Sequence, residues 1–169
     1  MTQKSRIIAL VAVLAVVALA LLLWGWLQKR PAISSAEPEP GRIHVYLDGR
    51  FAANVNPEEL AELPIASFVD KEKGKAQEGP RLKDVVLLYV QEEKLRSDST
   101  ITLTGVLPSG GASKSASLTW GQIEDPANHV LFDYSSSGDS IKLVSTLAGL
   151  DTRDQWVQGI ERISITTRP

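Results

Sequence analysis

Hydrophobic and polar residues change their period several times along the 169 residues of this chain, and each change marks an element. From Ile7 to Leu27 there is no period: "IIALVAVLAVVALALLLWGWL" is 21 residues without a charge. At roughly 1.5 Å of rise per residue such a run crosses roughly 30 Å of hydrocarbon as a helix. Beyond Gly41 the pattern becomes amphipathic. "RIHVYLDGRFAANV" sets Ile43, Val45 and Leu47 on one face of a strand, and Asp48-Gly49 predicts a tight turn into a second extended run. Asn56 as N-cap, Pro57 at the first helical position and Glu59 predict a short helix carrying Leu60 and Leu63, stopped by Pro64.

Farther along, "IASFV" (Ile65 to Val69) reads as a strand and "DKEKGKAQEGP" (Asp70 to Pro80) as a charged, glycine-bearing loop. Leu82, Val85, Val86 and Tyr89 recur at i, i+3, i+4 and i+7, which predicts a core-facing helix of about three turns. Asp98 to Val106 alternates Ile101 and Leu103 with Thr100, Thr102 and Thr104, the pattern of a half-buried strand. "LPSGGASKSASLTW" turns and comes back, and short strands follow at Val130 to Tyr134, Ser140 to Val144 and Arg162 to Thr166. The fold class this predicts is α+β: an N-terminal transmembrane helix followed by one mixed, strand-rich domain. The divisions are a tail over 1–6, the membrane segment over 7–27, a Pro/Ser/Glu-rich stalk over 28–41 and the domain over 42–169.

The apolar run is longer than the roughly 7–15 residues of a secretory signal's hydrophobic region, and the small-residue "SSA" at Ser34 to Ala36 lies beyond Lys29 and Arg30. It therefore reads as an uncleaved single-pass anchor, with Trp24 and Trp26 at the headgroup level. Lys4, Arg6 and the terminal amine on one side face Lys29 and Arg30 on the other, which favours an inside N-terminus and an extracytoplasmic C-terminal domain at the cell membrane.

Charge narrows the partners. All 20 acidic residues but only 14 of the 18 basic ones follow Ala36, so that part carries −6 and has no Lys/Arg run interleaved with aromatics. Nucleic acid is excluded as a partner on that ground. A membrane through Ile7 to Leu27 and a protein in the cell envelope are the expected ones. The absence of cysteine removes disulfides, thiolate metal ligands and a lipoprotein anchor.

Four segments, "YLDGRFAANVNPEELAELP", "GPRLKDVV", "SDSTITLTG" and "RDQWVQGIERISI", resemble in that order the oxidoreductase molybdopterin-binding domain of the sulfite oxidase type, over most of Arg42 to Ile165. The resemblance implies that fold, and a cofactor pocket bordered by the turn before "GPRLKDVV". It also implies a cysteine thiolate on molybdenum between the "PEELAELP" and "GPRLKDVV" helices. Here the corresponding stretch, Ile65 to Gly79, holds lysines, acids and glycine instead. The expectation is therefore no cofactor, molybdopterin being suggested by resemblance only. The expected function is a non-catalytic binding or scaffolding module. The alternative is an oxidoreductase or electron-transfer subunit that holds a pterin without a thiolate.

No other catalytic constellation emerges. His44 and His129 are the only histidines, "SSSGDS" at Ser135 to Ser140 lacks the G-x-S-x-G elbow, and "PSGG" at Pro108 to Gly111 is too short to cradle phosphate. The adjacent pairs Glu58-Glu59, Glu92-Glu93 and Glu124-Asp125 read as solvated faces or caps. Lys73, Lys75 and Arg81 form a basic cluster in an acidic domain, suited either to an anionic ligand or acidic partner or to simple solvation. His129 in the Asp125 to His129 loop completes that candidate site. Trp120 and Trp156 suit either a core anchor or a binding hot spot.

Overall fold

The computed structural model describes residues 37–106, 112–134 and 140–167. Strand β1 (His44–Leu47) turns through Asp48 and Gly49 into β2 (Arg50–Asn54). Both turn residues have positive φ, 48° and 79°, the backbone that a two-residue hairpin matched to strand twist requires. The Asp48 carboxylate also accepts from the Thr167 amide at 2.8 Å, tying this turn to the end of the chain. Helix α1 (Pro57–Ala61) starts at Asn56, whose side chain accepts from the Glu58 amide at 3.0 Å.

Strands β3 (Ile65–Val69) and β4 (Ala76–Pro80) form a second hairpin, followed by α2 (Leu82–Leu87). Strands β5 (Thr100–Val106) and β6 (Ser113–Thr119) lead into α3 (Trp120–Glu124), closed by a capping box between Thr119 and Gln122. Then come β7 (Leu131–Tyr134), β8 (Ile141–Val144) and β9 (Ile160–Thr166).

The main sheet runs β2-β1-β9-β5-β6, with β1 and β9 parallel and the other neighbours antiparallel. Alternation decides its two faces. Val45, Ile101, Leu103, Leu118, Ile163 and Ile165 are buried on one side, beneath Leu82, Val85 and Val86 of α2, Trp120, and Leu131, Phe132 and Leu143 of the β7–β8 hairpin in one hydrophobic cluster. The other side carries His44, Tyr46, Arg162, Ser164 and a ladder of hydroxyls in which Thr102 pairs with Ser117 and Thr104 with Ser115, each at 2.8 Å. The β3–β4 hairpin packs on β7, and an isolated bridge joins Arg81 to Leu131.

Two expectations are corrected. The fold class is not the α+β arrangement with a transmembrane helix that the pattern predicts: of the described residues 41% are in strands and 18% in helices, and each α-helix has five or six residues. No helix among the described residues is long and apolar enough to cross a membrane, and the run Ile7 to Leu27 lies outside them. The opening helix of "GPRLKDVVLLYV" illustrates the difference. Its apolar face is core, but regular structure stops at Leu87, and the Leu88 and Tyr89 amides switch to i→i−3 bonds on Val85 and Val86. Secondly, Asp70 to Pro80 is not a loop throughout, since Ala76–Pro80 is strand β4 paired with β3.

Candidate binding groove

A groove of about 890 Å³ opens at the end of the main sheet where β1, β5 and β9 meet α1 and the β7–β8 hairpin. Its apolar surface comes from Ile43, Val55, Pro57, Leu60, Ile141 and Ile160; its polar groups include His44, Tyr46, Thr104, Tyr134, Glu161 and Arg162. A second hollow beside Lys114, Gln122 and Gln155 is much smaller, about 330 Å³. The larger volume and its few polar groups against an apolar wall match the usual make-up of a small-molecule site.

Two β-bulges shape the groove. In β2, Ala52 is the extra residue between the pairs Val45–Ala53 and Tyr46–Phe51. In β9, Glu161 is the extra residue between Thr104–Arg162 and Gly105–Ile160. A bulge bends its strand and re-aims the neighbouring side chains. The β9 bulge depends on Gly159, at φ 56°, because a Cβ there would lie 2.1 Å from the Val106 carbonyl oxygen. That close approach is what lets β5 and β9 part next to the groove while the Val106 amide still donates to the Gly159 carbonyl at 3.0 Å.

The parallel pairing of β1 with β9 sets His44 opposite Arg162. The Arg162 guanidinium lies over the Tyr46 ring, 3.9 Å from its centroid, and its Nε donates to Ser164 Oγ at 2.9 Å. Phe51 supports Tyr46 edge-on at 5.8 Å. Arg162 is thus held in place by stacking and one hydrogen bond, and among the described residues it has no ion pair. His44 donates through Nε2 to the Glu39 carbonyl at 2.8 Å, which occupies that nitrogen. Tyr134 is 39% exposed, and burial raises its hydroxyl pKa, so it remains a protonated donor at neutral pH.

The residues singled out by sequence are elsewhere. Lys73 and Lys75 sit in the β3–β4 turn, while Arg81 follows the far end of β4, roughly 20 Å away at 3.3 Å per residue. The basic cluster is therefore divided between the two ends of a strand. His129 takes a left-handed backbone, φ 43°, with its ring 5.7 Å from that of Phe68. Trp120 is 2% exposed in the core, and Lys83 rather than Arg81 lies over its ring at 5.7 Å. Lys83 also bridges Glu92 and Glu124 at 3.3 and 3.4 Å.

The β3–β4 turn does hold a polar chain, directed inward. Arg153 pairs with Asp70, whose side chain is 2% exposed, and Gln77 donates to the same carboxylate at 3.3 Å. Lys142 then joins Gln77 at 2.9 Å to Asp133 at 3.1 Å. Trp156 lies beneath both cations, 5.5 Å from each, and its indole donates to Leu150. The Arg153 hydrogen bond, helped by the Lys73 amide, lowers the Asp70 pKa to about 2. These groups pair with one another, Arg153 Nε alone of them staying buried without a hydrogen-bond partner among the described residues, and fasten the hairpin to the 151–157 segment.

The stretch that would hold molybdenum through a thiolate does not fit that group. The chain has no cysteine, and Ile65 to Pro80 is a hairpin whose Gly79 touches the Phe132 carbonyl so closely that not even a Cβ could enter. A soft, thiolate-held metal finds no thiolate donor there. No model of a known protein family matches the chain, and no curated protein matches it.

The groove residues were not found from sequence. The one available signal was an aromatic and a cation on the solvated face of strands, Tyr46 and Arg162, where small hydroxyl residues fill the neighbouring positions.

Proposed function

We propose that this protein is a non-catalytic binding module, tethered at a membrane by its apolar N-terminal run with the domain on the extracytoplasmic side, and that its ligand occupies the groove against β1 and β9. The observation that supports the reading is the groove itself: about 890 Å³ of largely apolar lining with Arg162 fixed at its edge. Its histidine is engaged by a backbone carbonyl, and its Thr104 hydroxyl is hydrogen-bonded to Ser115 on the neighbouring strand. With His44 Nε2 and the Thr104 hydroxyl engaged in this way, binding rather than turnover is the activity this chemistry supports.

The test uses the full chain in zwitterionic nanodiscs and the uncharged fluorophore 1-aminoanthracene, with empty discs as the blank. Saturable one-to-one binding is expected. Ile141→Trp, which fills the groove, should abolish it, and Ser117→Trp on the exposed outer face of β6 should leave it intact. Equal binding by all three proteins would refute the groove as the site.

A further inference from the structure

We propose that the groove selects small amphiphiles carrying a single carboxylate, with the head on the Arg162 guanidinium and the apolar body along Ile43, Leu60, Ile141 and Ile160. This rests on the reading of the groove as a binding site and assigns its ligand class. Three features lead to it.

The first is the state of Arg162. A guanidinium presents five donors in a planar fork, and among the described residues only Nε is used, on Ser164. Stacking on Tyr46 removes much of the freedom an arginine side chain would lose on binding, so the terminal NH₂ groups form a pre-oriented receptor for two oxygens. Most other cations around the groove are already neutralised or remote. Arg42, also in the lining, pairs with Glu39 at 3.7 Å.

The second is the count of charge. Glu161, the bulged residue, lines the same groove beside Arg162. Arg162 and Glu161 sum to zero, so a monoanion on the guanidinium leaves one surplus negative charge and a dianion such as a phosphate monoester leaves two, which disfavours the dianion. Tyr134 adds a neutral donor without changing this balance.

The third is the apolar wall. Ile43, Leu60, Ile141 and Ile160 come from four separate parts of the chain and together line this groove. Leu60 and Ile160 are buried beneath it, and a ligand consisting of a head alone would leave the partly exposed Ile43 and Ile141 in water, so the body must be apolar.

The test is displacement of 1-aminoanthracene from the full chain in zwitterionic nanodiscs by octanoate, octan-1-ol and octyl phosphate at pH 8. Octanoate should compete at least tenfold better than octan-1-ol and better than octyl phosphate, with the advantage shrinking at high salt. Arg162→Gln should bring octanoate and octan-1-ol to near parity, mainly by weakening octanoate, and Arg162→Lys should keep only part of the preference. Parity in the wild type would overturn the carboxylate assignment while leaving the groove reading in place. Stronger competition by octyl phosphate would overturn the monoanion. A preference that survives Arg162→Gln would overturn the role of Arg162, and failure of all three competitors would remove both this inference and the site it rests on.

Discussion

Replacing Gly79 by alanine isolates the packing of the β3–β4 hairpin on the body of the domain. A Cβ at this position would lie 1.6 Å from the Phe132 carbonyl oxygen and 2.7 Å from its carbon. A carbon approaches a carbonyl oxygen to about 3.3 Å, so the two backbones would have to part by roughly 1.7 Å. No rotamer change relieves the clash because both partners are main chain, and Phe132 is fully buried. The cost therefore falls at the upper end for overpacking, about 3 kcal/mol, a large fraction of the stability of an ordinary domain. Urea unfolding followed by tryptophan fluorescence should show the midpoint falling at unchanged slope, with a melting temperature lower by about 10 °C. Gly74→Ala is the control: its φ is 64° but nothing lies within 4 Å, so only the backbone penalty of about 1–2 kcal/mol applies. If Gly79→Ala were no more destabilising than Gly74→Ala, β4 would not be packed on β7 as described.

Three further outcomes follow from the same packing and charge geometry. Val86→Asp, placing a carboxylate at a position 1% exposed, should cost several kcal/mol in urea unfolding, about 3 or more. Lys83→Ala removes a cation shared by Glu92 and Glu124 and stacked over Trp120; it should cost about 1 kcal/mol, more than an isolated surface lysine, and a double-mutant cycle with Glu124→Gln should show coupling. Asp70 has a folded pKa near 2 against an ordinary 3.8, so the folded state binds fewer protons there. Its contribution is complete above the ordinary value and disappears as pH falls towards about 2, so the wild type should lose stability across that window and Asp70→Asn should lose less.

Local signals made much of the fold legible. Asp48-Gly49 is a turn in sequence and in structure, Asn56-Pro57 starts α1, and the Thr/Ile alternation of β5 appears as strict burial of every second residue. What escaped depended on distant partners. "AQEGP" has little strand propensity, and it becomes β4 because β3 pairs along one side and Gly79 fits the Phe132 carbonyl on the other. Helix α3 was encoded locally by the Thr119 and Gln122 capping box, but the alternation of the preceding strand masked it. The polar chain through Asp70, Gln77, Lys142 and Arg153 joins residues up to 83 positions apart, so a charged stretch that looks solvated in sequence is partly internal. The groove was least legible of all. It needs the parallel register of His44 with Arg162 and the two bulges, none of which leaves a periodic trace.

The groove as the binding site is tested most directly by isoleucine-methyl NMR on the full chain during titration with octanoate. Ile43, Ile141 and Ile160 line the groove, Ile101, Ile163 and Ile165 lie in the core, and Ile65 is exposed on β3. Saturable shifts confined to Ile43, Ile141 and Ile160, and much smaller in Arg162→Gln at the same octanoate concentration, are the predicted result. Shifts centred on Ile65, or spread evenly over all seven, would contradict the account.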